Sequence, residues 1–304
     1  MAEAPSTTET APHFSLFREV RDRPLIFLSG KGGVGKTTVT QAMALAFANR
    51  GLRTLWIAFE DPLQPPGKLQ RIANNLWHFN CEPAHAFEEY TSSRIGVPQL
   101  TRIFLRNKLV RYLSQASPGI RELMMIGKVW NDRAHYDRVV VDMPSTGYAL
   151  AMFQSPKNFS RLFHSGPLHH DAVKMDETFG DPRETGHIIL SLPEEMPLQE
   201  SLDLEGHLHA LYPNNPPAFM VNRMLPEDLT KPMTSITPSE WPTPYASSLE
   251  DFARKRQTLE NYNLRLWRDQ KLEFETLPHL EASRENSFFA IVGRLAETLQ
   301  ARLI

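Results

Sequence analysis

The chain has 304 residues, a formal net charge of −2 and a pI near 6.6. It therefore lacks the basic excess of a nucleic-acid binder, and is long enough for one large α/β domain or a core with a smaller appended subdomain. Cys81 is the only cysteine, which rules out an intrachain disulfide and fits a reducing compartment, with the cytoplasm as the expected location.

Residues 1–13 carry neither the basic nor the apolar region of a signal peptide and read as a disordered tail, leaving 14–304 as the folded domain. No stretch approaches the roughly 20 apolar residues that cross a bilayer, so no transmembrane segment is expected. A short lead-in helix is expected over Phe14–Arg23, after which Pro24 opens a first strand. That strand runs into Gly30-Lys31-Gly32-Gly33-Val34-Gly35-Lys36-Thr37-Thr38, the spacing G-x-x-x-x-G-K-[ST] of a phosphate-binding loop. Gly30, Gly32, Gly33 and Gly35 allow the tight turn that points backbone N–H groups at phosphate oxygens. Lys36 then neutralises the β- and γ-phosphates, and the Thr37 hydroxyl ligates Mg²⁺.

A helix over Thr37–Arg50 ends at Gly51, and Thr54–Phe59 reads as a second, fully covered parallel strand, completing a βαβ unit. From about Gly67 to Arg133 the strand signal is absent, and helical stretches such as Gln99–Leu113 and Gly119–Val129 suggest an inserted helical subdomain over about 67–133, joined by a second section over 149–185. Strands return at Arg138–Asp142, His187–Leu192 and Ala218–Asn222, with a helix over Leu198–Leu211 between the last two. The proline-rich stretch Pro226–Ser247 reads as an irregular excursion. It is followed by a charged helix over Ser248–Gln270, a short strand ending at Leu277 and a terminal helix from Arg284. The pattern predicts a doubly wound, mostly parallel α/β sheet with one nucleotide site.

Two acids stand where the chemistry needs them. Asp61 follows the second strand and can orient water for attack on the γ-phosphate, or simply cap the next helix; Asp142 ends an apolar strand and can hold Mg²⁺ or one of its waters, or simply begin a turn that closes a buried strand. Asn222 closes the strand Ala218–Asn222 and could pair with the adenine edge, or be an ordinary strand-end amide. Other features admit two readings each. Arg102–Leu113 interleaves basic and apolar residues as a partner surface or an ordinary helix face does. Met124, Met125 and Met152 could line an adaptable groove or fill core. The segment Ser287–Ile304 is amphipathic and could anchor to a membrane or pack on the domain. His164, His169 and His170 are close in sequence but lack ligand register.

Lys31, with Glu60-Asp61-Pro62, Asp142-Met-Pro-Ser-Thr-Gly-Tyr148, Ser117-Pro-Gly-Ile-Arg-Glu122 and Leu277-Pro-His-Leu-Glu281, resembles the ArsA and tail-anchored-protein-targeting ATPase family of deviant P-loop proteins over about residues 24–300. The resemblance implies a Mg²⁺-dependent ATPase that closes as a homodimer, or as a heterodimer with a paralogue, and couples closure to a hydrophobic client or membrane-protein partner. It assigns Lys31 a role across the dimer, Lys36, Thr37 and Thr38 roles in cis, Asp61 the water, and Thr37, Asp61 and Asp142 the metal. Gly147 lies near the γ-phosphate, and Asn222 and Pro278 at adenine. Tyr148 replaces the family's histidine, and the cysteines that carry zinc or arsenite elsewhere are missing. A MinD/ParA-like positioning switch and a non-catalytic nucleotide-binding paralogue are the alternatives; nucleic acid is not an expected partner.

Overall fold

Short runs of Val, Ile, Leu and Phe between turn residues are too brief for helices, and they become the strands of a single sheet. A computed structural model describes residues 20–95, 119–162, 164–225, 243–280 and 288–302. The strands are β1 (Leu25–Ser29), β2 (Thr54–Phe59), β3 (Leu69–Ala73), β4 (Leu76–Cys81), β5 (Arg138–Asp142), β6 (Thr185–Ser191), β7 (Ala218–Met224) and β8 (Phe274–Pro278). The helices described are α1 (Lys36–Asn49), α2 (Pro83–Ile95), α3 (Ile120–Asp132), α4 (Thr146–Leu162), α5 (Pro167–Gly180), α6 (Glu195–Leu211), α7 (Thr243–Asp269) and α8 (Phe288–Arg302).

The sheet order is β3-β4-β2-β5-β1-β6-β7-β8, parallel throughout except for the antiparallel pair β3 and β4. The chain winds outward from β1 to one side through β2, returns as β5, and then builds the other side through β6 to β8. The direction of winding reverses at β1, and open α/β sheets bind ligands beyond the carboxyl ends of their strands at such a point.

Both sheet faces are covered, which is why β1 and β6 are buried at every position. Ile26 and Leu28 of β1 face α1 (Val39, Ala42, Met43, Ala46) and α8 (Val292, Leu295, Ala296, Leu299). Leu25 and Phe27 face the opposite layer, built from α3, α4, α5, α6 and α7. There Phe27 meets Phe153 edge-on at 5.1 Å and stacks on His187 at 5.6 Å. The amphipathic C-terminal segment thus packs on the domain, with Leu295 and Leu299 buried against α1. Met124, Met125 and Met152 are core, not groove.

Three expectations need correction. The strand signal does not stop at Gly67: β3 and β4 form a hairpin through Asn74-Asn75, with Asn75 in the left-handed region (φ 58°), and β4 joins the sheet beside β2. The charged helix begins at Thr243, upstream of Ser248, with the ring of Trp267 buried against Phe219 and Phe274. β7 continues two residues past Asn222. The expected helix Gln99–Leu113, the pattern at 102–113, and most of the excursion at 226–247 lie outside the described residues. Among those that are described, no helix is long and apolar enough to cross a membrane.

Candidate functional site

The loop between β1 and α1 is anchored at its two ends by glycines that nothing else could replace. Gly30 has φ 146°, and a Cβ there would collide with the Leu190 carbonyl oxygen on β6. Gly35 has φ 95°, and its Cβ would come 2.6 Å from the Asn222 amide nitrogen on β7. That amide donates to the Val34 carbonyl at 2.9 Å, and its oxygen accepts the Arg223 N–H at 2.9 Å. Asn222 thus braces the underside of the loop and is nearly buried there.

Lys36 curls back over the loop and donates to the carbonyls of Gly30 and Lys31, 2.9 Å each. Burial lowers its pKa, and the charges of Asp142 and Glu200 oppose that shift. No side chain caps α1 and its first turn holds no acid, so the N–H groups at its start are left to an incoming acceptor. Around Gly32 and Gly33 there is open space.

Thr37 and Asp142 meet directly, the Thr37 hydroxyl donating to Asp142 Oδ2 at 2.6 Å. The other carboxylate oxygen, Oδ1, is buried with no hydrogen-bond partner. Burial pushes the Asp142 carboxyl up to about 6, with the Thr37 bond and the Lys36 charge pulling the other way and Asp61 adding to the rise. A buried oxygen with no donor, beside a hydroxyl and a lysine, suits a hydrated divalent cation.

At the end of β2, Glu60 adopts a left-handed conformation (φ 51°), turning the chain so that Asp61 leaves the sheet edge. Asn80 of β4 holds this turn. Its oxygen accepts the Asp61 N–H at 2.9 Å, and its amide donates to the Asp61 and Gln64 carbonyls at 2.8 Å each. The Asp61 carboxylate accepts the Leu63 N–H at 2.9 Å, so it caps its own turn while its charge reaches Asp142 and His78.

On the other side of the loop mouth Lys31 forms an ion pair of 3.2 Å with Glu200 of α6, whose other oxygen accepts the Thr146 hydroxyl at the start of α4. The Thr146 bond, followed by Lys31 and Lys36, holds the Glu200 carboxyl below its ordinary range. The structure therefore gathers Gly30 to Thr37 with Asp142, and sets Asp61 within electrostatic reach without a direct bond. Thr38 lies half-buried in the first turn of α1, and Gly147 in the first turn of α4 with open space around it. Pro278 lies opposite Met224 at the β7 edge, where the His279 N–H donates to the Met224 carbonyl at 2.7 Å.

Two residues, Glu200 and Asn80, carry no role in the sequence pattern, and Glu60 stands there only as the first residue of Glu60-Asp61-Pro62. Only Asn80 had a local signal, the alternating Leu76, His78, Asn80 after an Asn-Asn turn. Cys81 is buried in the core and its thiol pKa is raised by burial. Among the described residues, no three His, Cys, Asp or Glu side chains gather into a metal site.

Residues 23–166 match the family profile described as anion-transporting ATPase. ATPase BagA of Mycobacterium tuberculosis is 28% identical over 204 residues, 59% of this chain and 59% of its own. A putative arsenical pump-driving ATPase of Halobacterium salinarum is 26% identical over 69% of this chain and 37% of its own length. ATPase GET3B of Arabidopsis thaliana is 26% identical over 67% of this chain and 65% of its own. The chain thus spans about three-fifths of the length of the mycobacterial relatives it matches. Its central parallel sheet, its loop and the matched stretch agree: over residues 23–166 the chain is similar to the anion-transporting ATPase family.

Proposed function

We propose that this chain binds ATP with Mg²⁺ at residues 30–38 and hydrolyses it, using closure against a second subunit to change how it holds a hydrophobic client or membrane-protein partner. The observation that carries the reading is the buried, unpartnered Oδ1 of Asp142 beside the Thr37 hydroxyl, with Lys36 folded over an uncapped helix N-terminus.

Bound Mg²⁺ would supply charge neutralisation between the β- and γ-phosphates. The N–H groups from Gly33 to Thr37 would cradle phosphate oxygens, and Lys36 would leave the Gly30 and Lys31 carbonyls to neutralise them. Thr37 would turn its oxygen from Asp142 to the metal, freeing both Asp142 oxygens to hold metal-bound water. Asp61, released from the Leu63 N–H, would orient the attacking water, and Lys31 would reach the partner's nucleotide. Asn222, near the end of β7, and Pro278, at the end of β8, would contact the adenine. Zinc and arsenite form no part of this reading, since Cys81 is the only cysteine and is buried.

Titration calorimetry with ATP and Mg²⁺ tests the proposal. The parent chain should bind, and Lys36→Ala should weaken binding by about 100-fold or more, the loss of a charge-assisted contact in a closed site. Equal binding by the two proteins would sink it. A second reading, a nucleotide-binding subunit with little turnover, is favoured by the Asp61 carboxylate being engaged in its own turn. Phosphate release that is indifferent to Asp61→Asn would select it.

A further inference from the structure

Four of the described residues other than glycine take the left-handed backbone region: Glu60, Asn75, Arg223 and Lys271. Asn75 and Lys271 sit in turns between elements, and Glu60 swings Asp61 off the sheet edge. Arg223 (φ 60°) lies within β7 and has no such reason. An arginine has neither the missing Cβ of glycine nor the short polar group of asparagine that eases this conformation. The strain belongs to a bulge. Val221 of β7 pairs with Thr276 of β8 and Met224 with Pro278, so three steps along β7 match two along β8 and one residue is extra. Val221 and Met224 both face the layer that holds α7, and Asn222 turns its amide to the Val34 carbonyl, so Arg223 is the residue left over, and its side chain is exposed. Bonds on both sides fix it there. Asn222 Oδ1 accepts the Arg223 N–H at 2.9 Å, the Met224 carbonyl accepts the His279 N–H at 2.7 Å, and the Leu225 N–H donates to Glu260 of α7 at 3.1 Å. Among the described residues the guanidinium has no hydrogen-bond or ion-pair partner.

A nucleotide whose phosphates lie at the start of α1 must send its base to one side of β1 or the other. The side of β5 and β2 carries Asp142 and Asp61, acids suited to a metal and a water; the side of β6, β7 and β8 carries Asn222, Arg223 and Pro278. We propose that Arg223 is a base-specificity residue, held in a left-handed bulge so that its planar guanidinium lies on the face of the base and favours a purine over a smaller pyrimidine. The inference rests on the reading of residues 30–38 as an ATP site. Its physical basis is the waste otherwise implied: a bulge that needs glycine for its backbone carries a long cation instead, aimed into neither layer of the fold and spent on no neighbour. A flat cation at that strand end gains more from a two-ring base than from a one-ring base, because more of the guanidinium is covered.

The test uses the full chain with Mg²⁺ and compares affinities for ATP, CTP and inorganic tripolyphosphate by calorimetry. The parent should prefer ATP to CTP. Arg223→Gly, which suits the bulge and removes the side chain, should melt no lower than the parent, weaken ATP by about tenfold, weaken CTP by about threefold or less and leave tripolyphosphate within about twofold. Arg223→Lys keeps the charge and loses the plane, and should also narrow the gap between ATP and CTP. Equal weakening of all three ligands would make Arg223 a general attractor of anions, and the same pattern with a lower melting temperature would make it a structural residue. Either result overturns the inference, as does unchanged ATP affinity in Arg223→Gly, a parent that binds ATP and CTP alike, or a lysine variant with the parent's full preference. All of these leave the ATP site intact so long as Lys36→Ala still weakens ATP. If the parent binds ATP no better than Lys36→Ala does, the ATP reading falls and the inference with it.

Discussion

The root and the mouth of the phosphate-binding loop lie a few residues apart and are held by different physics. At the root, Gly30 and Gly35 are fixed by positive φ and by atoms that leave no room for a Cβ, and Asn222 bonds the loop from below. At the mouth, a Cβ on Gly32 or Gly33 would meet open space, and Lys31 is held by its ion pair with the Glu200 carboxylate. Steric exclusion cannot be exchanged for another partner, whereas an ion pair can. The difference teaches that the loop's shape is built into the fold, while the placement of Lys31 is left to whichever anion is present.

Stability measurements can break this comparison. Gly30→Ala should cost about 3 kcal/mol or more in urea unfolding, because both the backbone conformation and the Leu190 carbonyl oppose it, whereas Gly32→Ala should cost under about 1 kcal/mol. Equal costs would mean the root is no more constrained than the mouth.

The floor beneath the root offers the next largest effect. His187 is fully buried against Phe27 and Tyr212, and its Nε2 shares a hydrogen bond of 3.0 Å with the Phe179 carbonyl, leaving Nδ1 without a donor. Burial pushes its pKa down from 6.5 to about 4. The unfolded chain then binds the extra proton first, so this stability is fully present above about pH 6.5 and is lost as pH falls through 4. By pH 5 about 2 kcal/mol should be gone, and His187→Gln should remove that part of the slope in unfolding curves taken from pH 7 to 5. A parent chain equally stable at both values would contradict it.

Asn222→Ala should have the smallest effect of the three, about 1–2 kcal/mol, since it strips a buried hydrogen bond from Val34 without straining the backbone. If nucleotide affinity falls while stability does not, Asn222 acts on the ligand and not on the loop.

The loop and the strands around it were legible because their signals are local. Thr54–Phe59 and Arg138–Asp142 are continuous apolar runs, and parallel strands covered on both faces have that form. β3 was not legible because an edge strand with mostly exposed side chains carries no apolar run, and in its pairing partner β4 the apolar run of Leu76, Trp77, Phe79 and Cys81 is interrupted by His78 and Asn80. Glu200 was invisible for a different reason. On a helix such as α6 a glutamate looks like any solvated residue, and only the fold brings it to Lys31 and Thr146. As a strand-end amide Asn222 suggests a ligand contact, and the local sequence does not reveal that its amide also bonds the Val34 carbonyl from below the loop.

Asn80 has a mechanical consequence. By clasping Asp61 and Gln64 from the neighbouring strand, and by accepting the Gly67 N–H on its own carbonyl at 3.0 Å, it welds the turn after β2 to the outermost hairpin. Any shift of Asp61 must either break these bonds or swing the hairpin with it. The outer strand of that hairpin, β3, carries Leu69 and Ile72, apolar side chains 55% and 47% exposed at the rim of the sheet. A displacement of Asp61 would therefore be felt at the outer edge of the sheet as well as at the loop.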